Sequence, residues 1–502
     1  MKKIFLILFS SLLSQQLMAQ DEYEILRYAN GTHYGTARGI SIGGAVGSIG
    51  ADFSSLSVNP AGIGVYKSSE FSISPSFLIN KNQADYLGTQ TTNQHAKLNM
   101  NSFGLVMTNK KGLSNKKTHW KTVSFGFGMN RIANFNNQYK YVGTNKQSSL
   151  IERYAQEYNQ WGGLNNTSIN KVSYPAYAAY QTYLVDYGTG ADSLHAVSYV
   201  PYWDSIKQTK SVKEKGFQQE YVLSLGANYN EKLMLGATLG IQSINYYKKT
   251  VYSEEDLSGK LNNDFNYFDL EEVIATSGTG INLKLGAIAK PNKALRLGIA
   301  LHTPTHLELN DQSQIYMESH TDSLLLYNDP TASPISSYSQ DSIQFLNYSI
   351  TTPYKVLGSV AVLLNKSGFI TGDIEYVDYS SMRYNFRDFS NFSDALNTQI
   401  QSVYKNNINV RIGGELKLDQ FSIRGGFAYY GSPFKNTNID ASKKIFSGGI
   451  GYRTRYWFID AAYQYRLHNI TEQPYVLTNK QVEAASIKNT NSAVTISLGW
   501  KF

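Results

Sequence analysis

The chain has 502 residues, of which 42% are hydrophobic and only 17% charged, with 38 tyrosines and a mean hydropathy of -0.33. A soluble globular chain carries about 25% charged residues; here the polarity comes from Asn, Gln, Ser, Thr and Tyr, which favours strands and turns over helices. The absence of cysteine excludes a disulfide framework, a thiol nucleophile and an acylated lipoprotein anchor, and a formal charge of +8 leaves an ordinary solvated surface or a face toward anionic lipid.

The first element is MKKIFLILFSSLLSQQLMAQ, two lysines, an apolar run from Ile4 to Leu13 and a small residue, Ala19. That order predicts a secretory signal peptide over residues 1–19. No later stretch reaches the roughly 20 apolar residues that a helical span needs. An exported chain rarely meets nucleic acid, so none is expected as a partner.

Residues 20–68 contain GISIGGAVGSIGAD from Gly39 and SSLSVNPAGIG from Ser54, and no convincing oily strand. Their small residues permit close packing against other backbone. A polar segment in front of a membrane barrel is expected to fold back into the lumen as a plug. GISIG matches the G-x-S-x-G elbow with Ser41 as nucleophile, but that motif needs an oily strand before it and a helix after it. HYGTAR precedes and more glycines follow, so no enzyme is expected.

From residue 69 to 502 the chain predicts strands, fourteen in all, starting near Phe71, Leu98, Lys121, Gln218, Leu233, Thr279, Ala294, Phe345, Phe369, Ile408, Phe421, Lys444, Tyr456 and Asn491. In LRLGIALH the apolar parity is Leu295, Leu297, Ile299 and Leu301. In NVRIGGELKLDQFSIRGGFAYY, Val410, Ile412, Leu416 and Leu418 alternate with Arg411, Gly413, Glu415 and Lys417, then turn at Asp419-Gln420. The terminal NSAVTISLGWKF sets Val494, Ile496, Leu498, Trp500 and Phe502 on one face. Long polar loops, the longest at about 134–216, alternate with short turns such as NEK at Asn230 and NKSG at Asn365. Segregated loops and an even count predict a fourteen-stranded antiparallel transmembrane β-barrel, all-β, in the outer membrane of a Gram-negative bacterium. Trp120, Tyr229, Tyr246, Trp457 and Trp500 are expected in its aromatic girdle, and SEEDLSGKLNNDF and NFSDALNTQ as short helices in long loops.

His302 and His306 would stand about 13 Å apart on a strand rising roughly 3.3 Å per residue, too far to share one ion. His33 is read as a hydrogen-bonding histidine. Neither a metal nor a cofactor is expected.

GTARGISIGGAVGSIGADFSSLSVNPAGIG, with Asn59, Pro60 and Ala61, resembles the amino-terminal hatch of the FadL/TodX outer-membrane transporters of long-chain fatty acids and other hydrophobic compounds. The stretches from TPYKVLGSVAVLL and NVRIGGELKL and the terminal strand are similar to the same family, while residues 134–262 share little with it. The resemblance implies a fourteen-stranded barrel plugged by a hatch, and passive uptake with a sideways exit at a kink in the third strand. In KTVSFGFGMNRIANF that kink is expected at Gly126 and Gly128. A carboxylate would be held by Arg296, Arg411 or Arg424 on the inward parity, unless these pair with Asp373, Glu375 and Glu415. The expected partners are a fatty acid-like hydrophobic molecule, membrane lipid and lipopolysaccharide, with the protein a monomer. The alternative is a structural, adhesive or haem-binding outer-membrane barrel.

Overall fold

The computed structural model describes residues 23–110, 119–165, 167–188, 194–261, 263–326, 329–437 and 439–502. The expected signal peptide lies outside them, as does most of the turn after Lys110. Fourteen strands form the wall: β1 Glu70–Tyr86, β2 Thr89–Lys110, β3 Trp120–Asn134, β4 Ile206–Tyr229, β5 Leu233–Asp256, β6 Tyr267–Ala289 and β7 Leu295–His302. The circuit continues with β8 Lys355–Leu363, β9 Gly368–Asp378, β10 Asn406–Leu418, β11 Phe421–Tyr430, β12 Lys443–Arg453, β13 Trp457–Glu472 and β14 Ala485–Lys501. Each pairs antiparallel with the next, and β14 pairs with β1 from Glu70↔Lys501 to Asp85↔Ser486, so the sheet closes.

Closure leaves no strand edge in the wall, which is what a sheet needs where no water can satisfy its amides. The side-chain period of two then sorts residues between outside and inside. Ile281, Leu283 and Leu285 of β6, Ile408, Ile412 and Leu416 of β10, and Val494, Ile496 and Trp500 of β14 are exposed outward. Their neighbours Asn282, Lys284, Asn409, Arg411, Glu415, Thr495 and Ser497 are buried within. A soluble protein would bury the first set instead; an outward apolar band is stable only against hydrocarbon.

The short turns follow local chemistry. Between β4 and β5, Asn230 and Glu231 both take positive φ, 52° and 58°, and Lys232 N–H donates to the Tyr229 carbonyl at 3.0 Å. Two left-handed residues make the turn whose twist matches the flanking strands. At the same end Trp120 and Tyr229 meet at 5.2 Å between ring centroids, Trp500 stacks near Phe71 at 6.1 Å, and Trp457 is paired opposite Trp500. These four of the five expected girdle residues lie at the short-turn end. Tyr246 does not join them: it is buried, donates to Glu214 at 2.7 Å, and Arg27 lies 3.9 Å over its ring. Its parity is inward, which outweighs its aromatic character.

The long connections are folded rather than loose. After β3, a strand at Asn137–Asn145 pairs with outer β4, followed by helix α3 (Leu150–Gln160) and helix α4 (Tyr174–Gln181). Ser149 caps α3, and Glu152 returns the bond to the Ser149 N–H. NFSDALNTQ lies in helix α5, Ser390–Val403. SEEDLSGKLNNDF holds no helix among its described residues; its first four residues complete β5, where Ser253–Asp256 pair with outer β4.

The seventh and eighth strands run past β7 and β8 but are interrupted. An outer segment His306–Leu326 continues β7 after Thr303-Pro304-Thr305, and Gln344–Thr351 precedes β8 across Thr352-Pro353-Tyr354. Proline lacks the N–H that a ladder needs, so both strands break at the same level.

Ile412 lies at the middle of β10 and is 53% exposed. Ile412→Lys should destabilise the liposome-embedded barrel by about 2–4 kcal/mol, read from urea unfolding by tryptophan fluorescence, while Lys417→Ile should have little effect.

Candidate functional site

Residues 23–68 sit inside the wall and touch it nearly all the way round. The Ala37 N–H donates to Ser497 of β14 at 2.7 Å, Gly47 N–H to Asp373 of β9 at 3.2 Å, and Asn59 Nδ2 reaches the Ala287 carbonyl of β6 at 3.4 Å. The segment is built from short pieces: α1 (Leu26–Ala29), α2 (Ala37–Ser41), and 3-10 turns at Phe53–Ser57 and Pro60–Val65. Each of the last three is capped by a side chain, from Thr36, Asp52 and Asn59 respectively.

Its glycines answer to the distance of approach. Gly43 has φ +68°, and a Cβ there would lie 2.9 Å from the Phe427 nitrogen and 3.0 Å from the Ile412 carbonyl, both wall backbone. Only glycine allows that contact. Asn59, Pro60 and Ala61 form the closest-fitting corner. Asn59 Oδ1 accepts from Ala61 N–H at 3.1 Å, its Nδ2 donates to the Gly47 carbonyl at 2.7 Å, and Pro60 opens the following turn. Asn59 is fully buried, against Gly286 of the wall.

Gly126 and Gly128 do not kink β3. Gly126 pairs with Val106 on one side and Ser224 on the other, and Gly128 with Gly104 and Val222. The ladder to β4 shifts only near Thr122 and between Arg131 and Ala133. What these glycines provide is room: a Cβ on Gly126 would fall 2.7 Å from Leu56 and 2.9 Å from Ile63, and one on Gly128 would fall 2.5 Å from Phe53.

The three arginines have separate fates. Arg424 is held by Glu415 at 2.7 Å and Asp460 at 2.6 Å, and Asp460 also takes Arg453 at 2.8 Å. Arg38, from α2, joins the same Glu415 at 3.2 Å. This network ties the amino-terminal segment to the short-turn end of the wall. Arg296 Nη1 donates to the Ile49 carbonyl, so it supports the segment. Arg411 lies near Glu375 at 3.5 Å and Asp373 at 3.7 Å, with its Nε and Nη2 lacking a hydrogen-bond acceptor. Register explains the pairs: Asp373 is opposite Arg411 and Glu415 is opposite Arg424. Asp460, Arg453, Arg38 and the buried pair Lys284–Glu220 belong to the same interior. Asp460 follows Phe458 on the inward parity of WFIDAAYQYR, a signal open to the same alternation argument.

Two cavities flank the segment. A lumenal one of about 120 Å3 is bounded by His33, Glu220, Lys284, His302, Lys355 and Arg411. It is polar, and the Lys355 ammonium has no ion pair among the described residues, so it can take a small anionic group rather than an alkyl chain. Burial first, then the Arg411 charge, depress His33 to about 4, so it is neutral at pH 7. His302 meets the Val58 carbonyl at 2.8 Å and His306 meets Glu308 at 2.9 Å. No metal-binding group of three acidic or histidine residues occurs among the described residues. Ser41 is inside α2 and donates to the Arg38 carbonyl at 2.8 Å, so it occupies no nucleophile elbow.

The larger cavity, about 600 Å3, lies among the start of α4, the first half of α3, the outward extensions of β5 and β6 and the outer segment His306–Leu326. Tyr154, Ile169, Val172, Tyr174, Tyr177 and Ile315 provide its apolar lining. Glu24, at the start of the described amino-terminal segment, also lines it and pairs with Arg27 and with Lys248 at 3.7 Å. An occupant would therefore touch the segment that fills the lumen.

A closed fourteen-strand wall around an internal segment, with a cavity outside and a smaller one within, defines a plugged barrel. No family model and no curated protein matches the chain. Solved structures do. One titled as a Pseudomonas aeruginosa FadL homologue aligns over 94% of this chain and 99% of its own, with a TM-score of 0.55 and 14% identity. The P. putida toluene transporter TodX aligns over 93% and 98%, with a TM-score of 0.51 and 12% identity. The chain has the FadL/TodX fold.

Asn59→Ala removes a cap worth about 1 kcal/mol. It should speed amide hydrogen exchange over residues 47–65 in detergent while leaving the strands unchanged. His33 is depressed below its usual 6.5, so the unfolded chain binds more protons between about pH 4 and 6.5, and its share of stability falls as pH drops through that window. His33→Gln should flatten that part of the thermal-midpoint profile.

Proposed function

We propose that the chain is an outer-membrane passive transporter of hydrophobic small molecules, most specifically long-chain fatty acids, with residues 20–68 as its hatch. The observation that carries this reading is the relation between the two cavities. The outer one is large and aromatic-lined enough for an alkyl chain, with each buried methylene contributing about 0.8 kcal/mol. Charged side chains line both, Glu24, Arg153, Lys248, Glu272 and Asp341 the outer and Glu220, Lys284, Lys355, Glu375 and Arg411 the inner, so what separates them is size: only the outer has room for an alkyl chain. The segment that fills the lumen reaches the outer cavity through Glu24 and the inner one through His33.

In this reading an amphiphile is caught by its tail outside the membrane and drawn inward as the hatch shifts. A full aqueous pore would favour ions and sugars; the filled lumen selects for apolar area instead. Arg411 is the arginine of the three that lines the inner cavity, so it is the one placed to meet a carboxylate there. TodX is titled a toluene transporter, so an uncharged aromatic is the rival cargo.

Proteoliposomes containing the protein should take up labelled oleate faster than empty ones, and exclude small sugars. Arg411→Gln should slow oleate about tenfold, the effect of about 1.4 kcal/mol, and leave toluene unchanged. Equal loss for both cargoes would assign Arg411 to hatch support. Uptake of neither, with oleate still bound, would favour a binding or adhesive barrel.

A further inference from the structure

At the short-turn end the wall finishes in a continuous rim. Asn230 N–H donates to the His119 carbonyl at 2.8 Å, Lys290 N–H to that of Lys232 at 2.7 Å, Leu363 N–H to that of Ala294 at 2.6 Å and Lys417 N–H to that of Ser367 at 2.7 Å. The circuit continues with Arg453 N–H to the Gln420 carbonyl at 2.9 Å, Lys501 N–H to that of Tyr456 at 2.7 Å and Phe502 N–H to that of Ser69 at 3.1 Å. Thr108 N–H, before the β2–β3 turn, donates to Ser69 Oγ at 3.1 Å. Each short turn is thus bonded to its neighbour, and the side chains it carries are held in fixed places around the rim.

Those side chains are cationic. Lys232, Lys293, Lys366 and Arg455 stand exposed at the tips of four turns. Lys290, Lys417 and Lys501 occupy strand ends, in step with the inward residues Ile288, Glu415 and Gly499, and Lys67 lies where the amino-terminal segment leaves the lumen for β1. None of these has an ion pair among the described residues. The sequence KKGLSNKK of the β2–β3 turn adds four lysines. Against them, the exposed side-chain carboxylates at this end are Glu231 and Asp419 among the described residues. Toward the long-loop end the signs are mixed instead: Lys207 pairs with Glu255 at 2.8 Å, Lys249 with Glu271 at 2.7 Å and Lys260 with Asp204 at 2.8 Å. The chain's excess of positive charge is gathered at one end of the barrel.

We infer that this rim docks the acidic face of a soluble protein. The inference rests on the outer-membrane reading only for the compartment, which is the periplasm, where short turns lie. Two observations select such a partner over lipid. At the same level the side chains turned toward hydrocarbon are aromatic, Trp120, Phe421, Trp457 and Trp500 among them, so lipid meets rings while the cations face the mouth and the water beyond it. Fourteen strands about 4.8 Å apart and tilted about 40° close a ring roughly 28 Å across at the backbone. That disc, roughly 600 Å2 before side chains are added, approaches the ~800 Å2 that each partner gives to a standard protein interface. Opposite charge steers such an encounter and fixes its register, and a rim already ordered loses little freedom on docking. The partner would cover Lys67 at the foot of the lumenal segment, so docking bears on the plug from below.

The probe is poly-L-glutamate, an acidic polypeptide, added to the protein in phosphatidylcholine nanodiscs. Lys232→Gln, Lys293→Gln, Lys366→Gln and Arg455→Gln together remove exposed cations that hold no ion pair, and should leave the thermal midpoint unchanged. Lys213→Gln with Lys215→Gln is the control, since these exposed lysines also lack an ion pair but lie toward the long-loop end. The four-residue variant should bind the probe about tenfold more weakly, the scale of four exposed charge pairs, wild-type binding should fall with added salt, and the control should bind as wild type does. No binding by the wild type, or equal loss in both variants, overturns the docking surface. The occupant is read in cells of the native host with photoreactive benzoylphenylalanine at Ser367, an exposed position on the rim. An adduct with an acidic protein that disappears in the four-residue variant upholds the inference. An adduct with phospholipid or peptidoglycan, one indifferent to the variant, or none, overturns it. Neither readout uses transport, so lysine-dependent docking without oleate uptake would sink the fatty-acid reading and leave the docking surface standing.

Discussion

Backbone amides in hydrocarbon have only each other. A sheet placed there must close, because an edge strand would leave a row of donors and acceptors unpaired at several kcal/mol each. The pairing of β14 with β1 is therefore the contact on which the rest depends. Closure makes one parity of every strand outward and the other inward, so the distribution of Ile412 and Arg411, or of Ile496 and Ser497, is a consequence of the ring and not of any local preference. It also creates an interior that must be filled.

The filling is polar and charged, which shapes what the interior can do. Arg38, Glu415, Arg424, Asp460 and Arg453 form a network at the short-turn end in which no member stands without a counter-charge. Breaking such a buried arrangement from one side costs about 3–5 kcal/mol, because the partner is left as an unpaired charge. The lower part of the amino-terminal segment is thus anchored firmly. Its upper part, from Glu24 to Asn30, shares an apolar cluster with Tyr348, Tyr379, Met382 and Tyr384 and is tied to the wall by fewer charges, Glu24 with Lys248 and Arg27 over Tyr246. Tyr28 and Ala29 of that upper part line the lumenal cavity, so its position sets the cavity's shape.

The arrangement separates two tasks. In the transport reading proposed above, affinity for an apolar chain belongs to the larger cavity beside α3 and α4, where burial is available without opening the wall. In the same reading, discrimination by charge belongs to the small inner cavity, where Lys355 has no ion pair among the described residues. A molecule with both a tail and an anionic head meets both; a sugar meets a lumen already occupied.

Alternation of period two and the segregation of turns from loops were enough to place all fourteen strands, because lipid and lumen impose opposite chemistries on adjacent residues. The Asn-Pro-Ala segment stood out as too small and too polar for lipid, whereas the break of the eighth strand at Thr352-Pro353-Tyr354 is not visible in the alternation alone. Asp373 and Glu415 were legible as arginine partners since they share the inward parity. Other features needed the closed ring. Tyr246 points inward although its residue type suits a girdle, and Gly126 and Gly128 serve close packing by Leu56, Ile63 and Phe53 rather than a kink; both depend on what stands opposite in space. The cavity beneath α4 and the unpaired stretch beside Pro353 arise where segments distant in the chain meet. Local sequence encodes which face a residue takes, but only the packed cylinder decides which residues then confront one another across it.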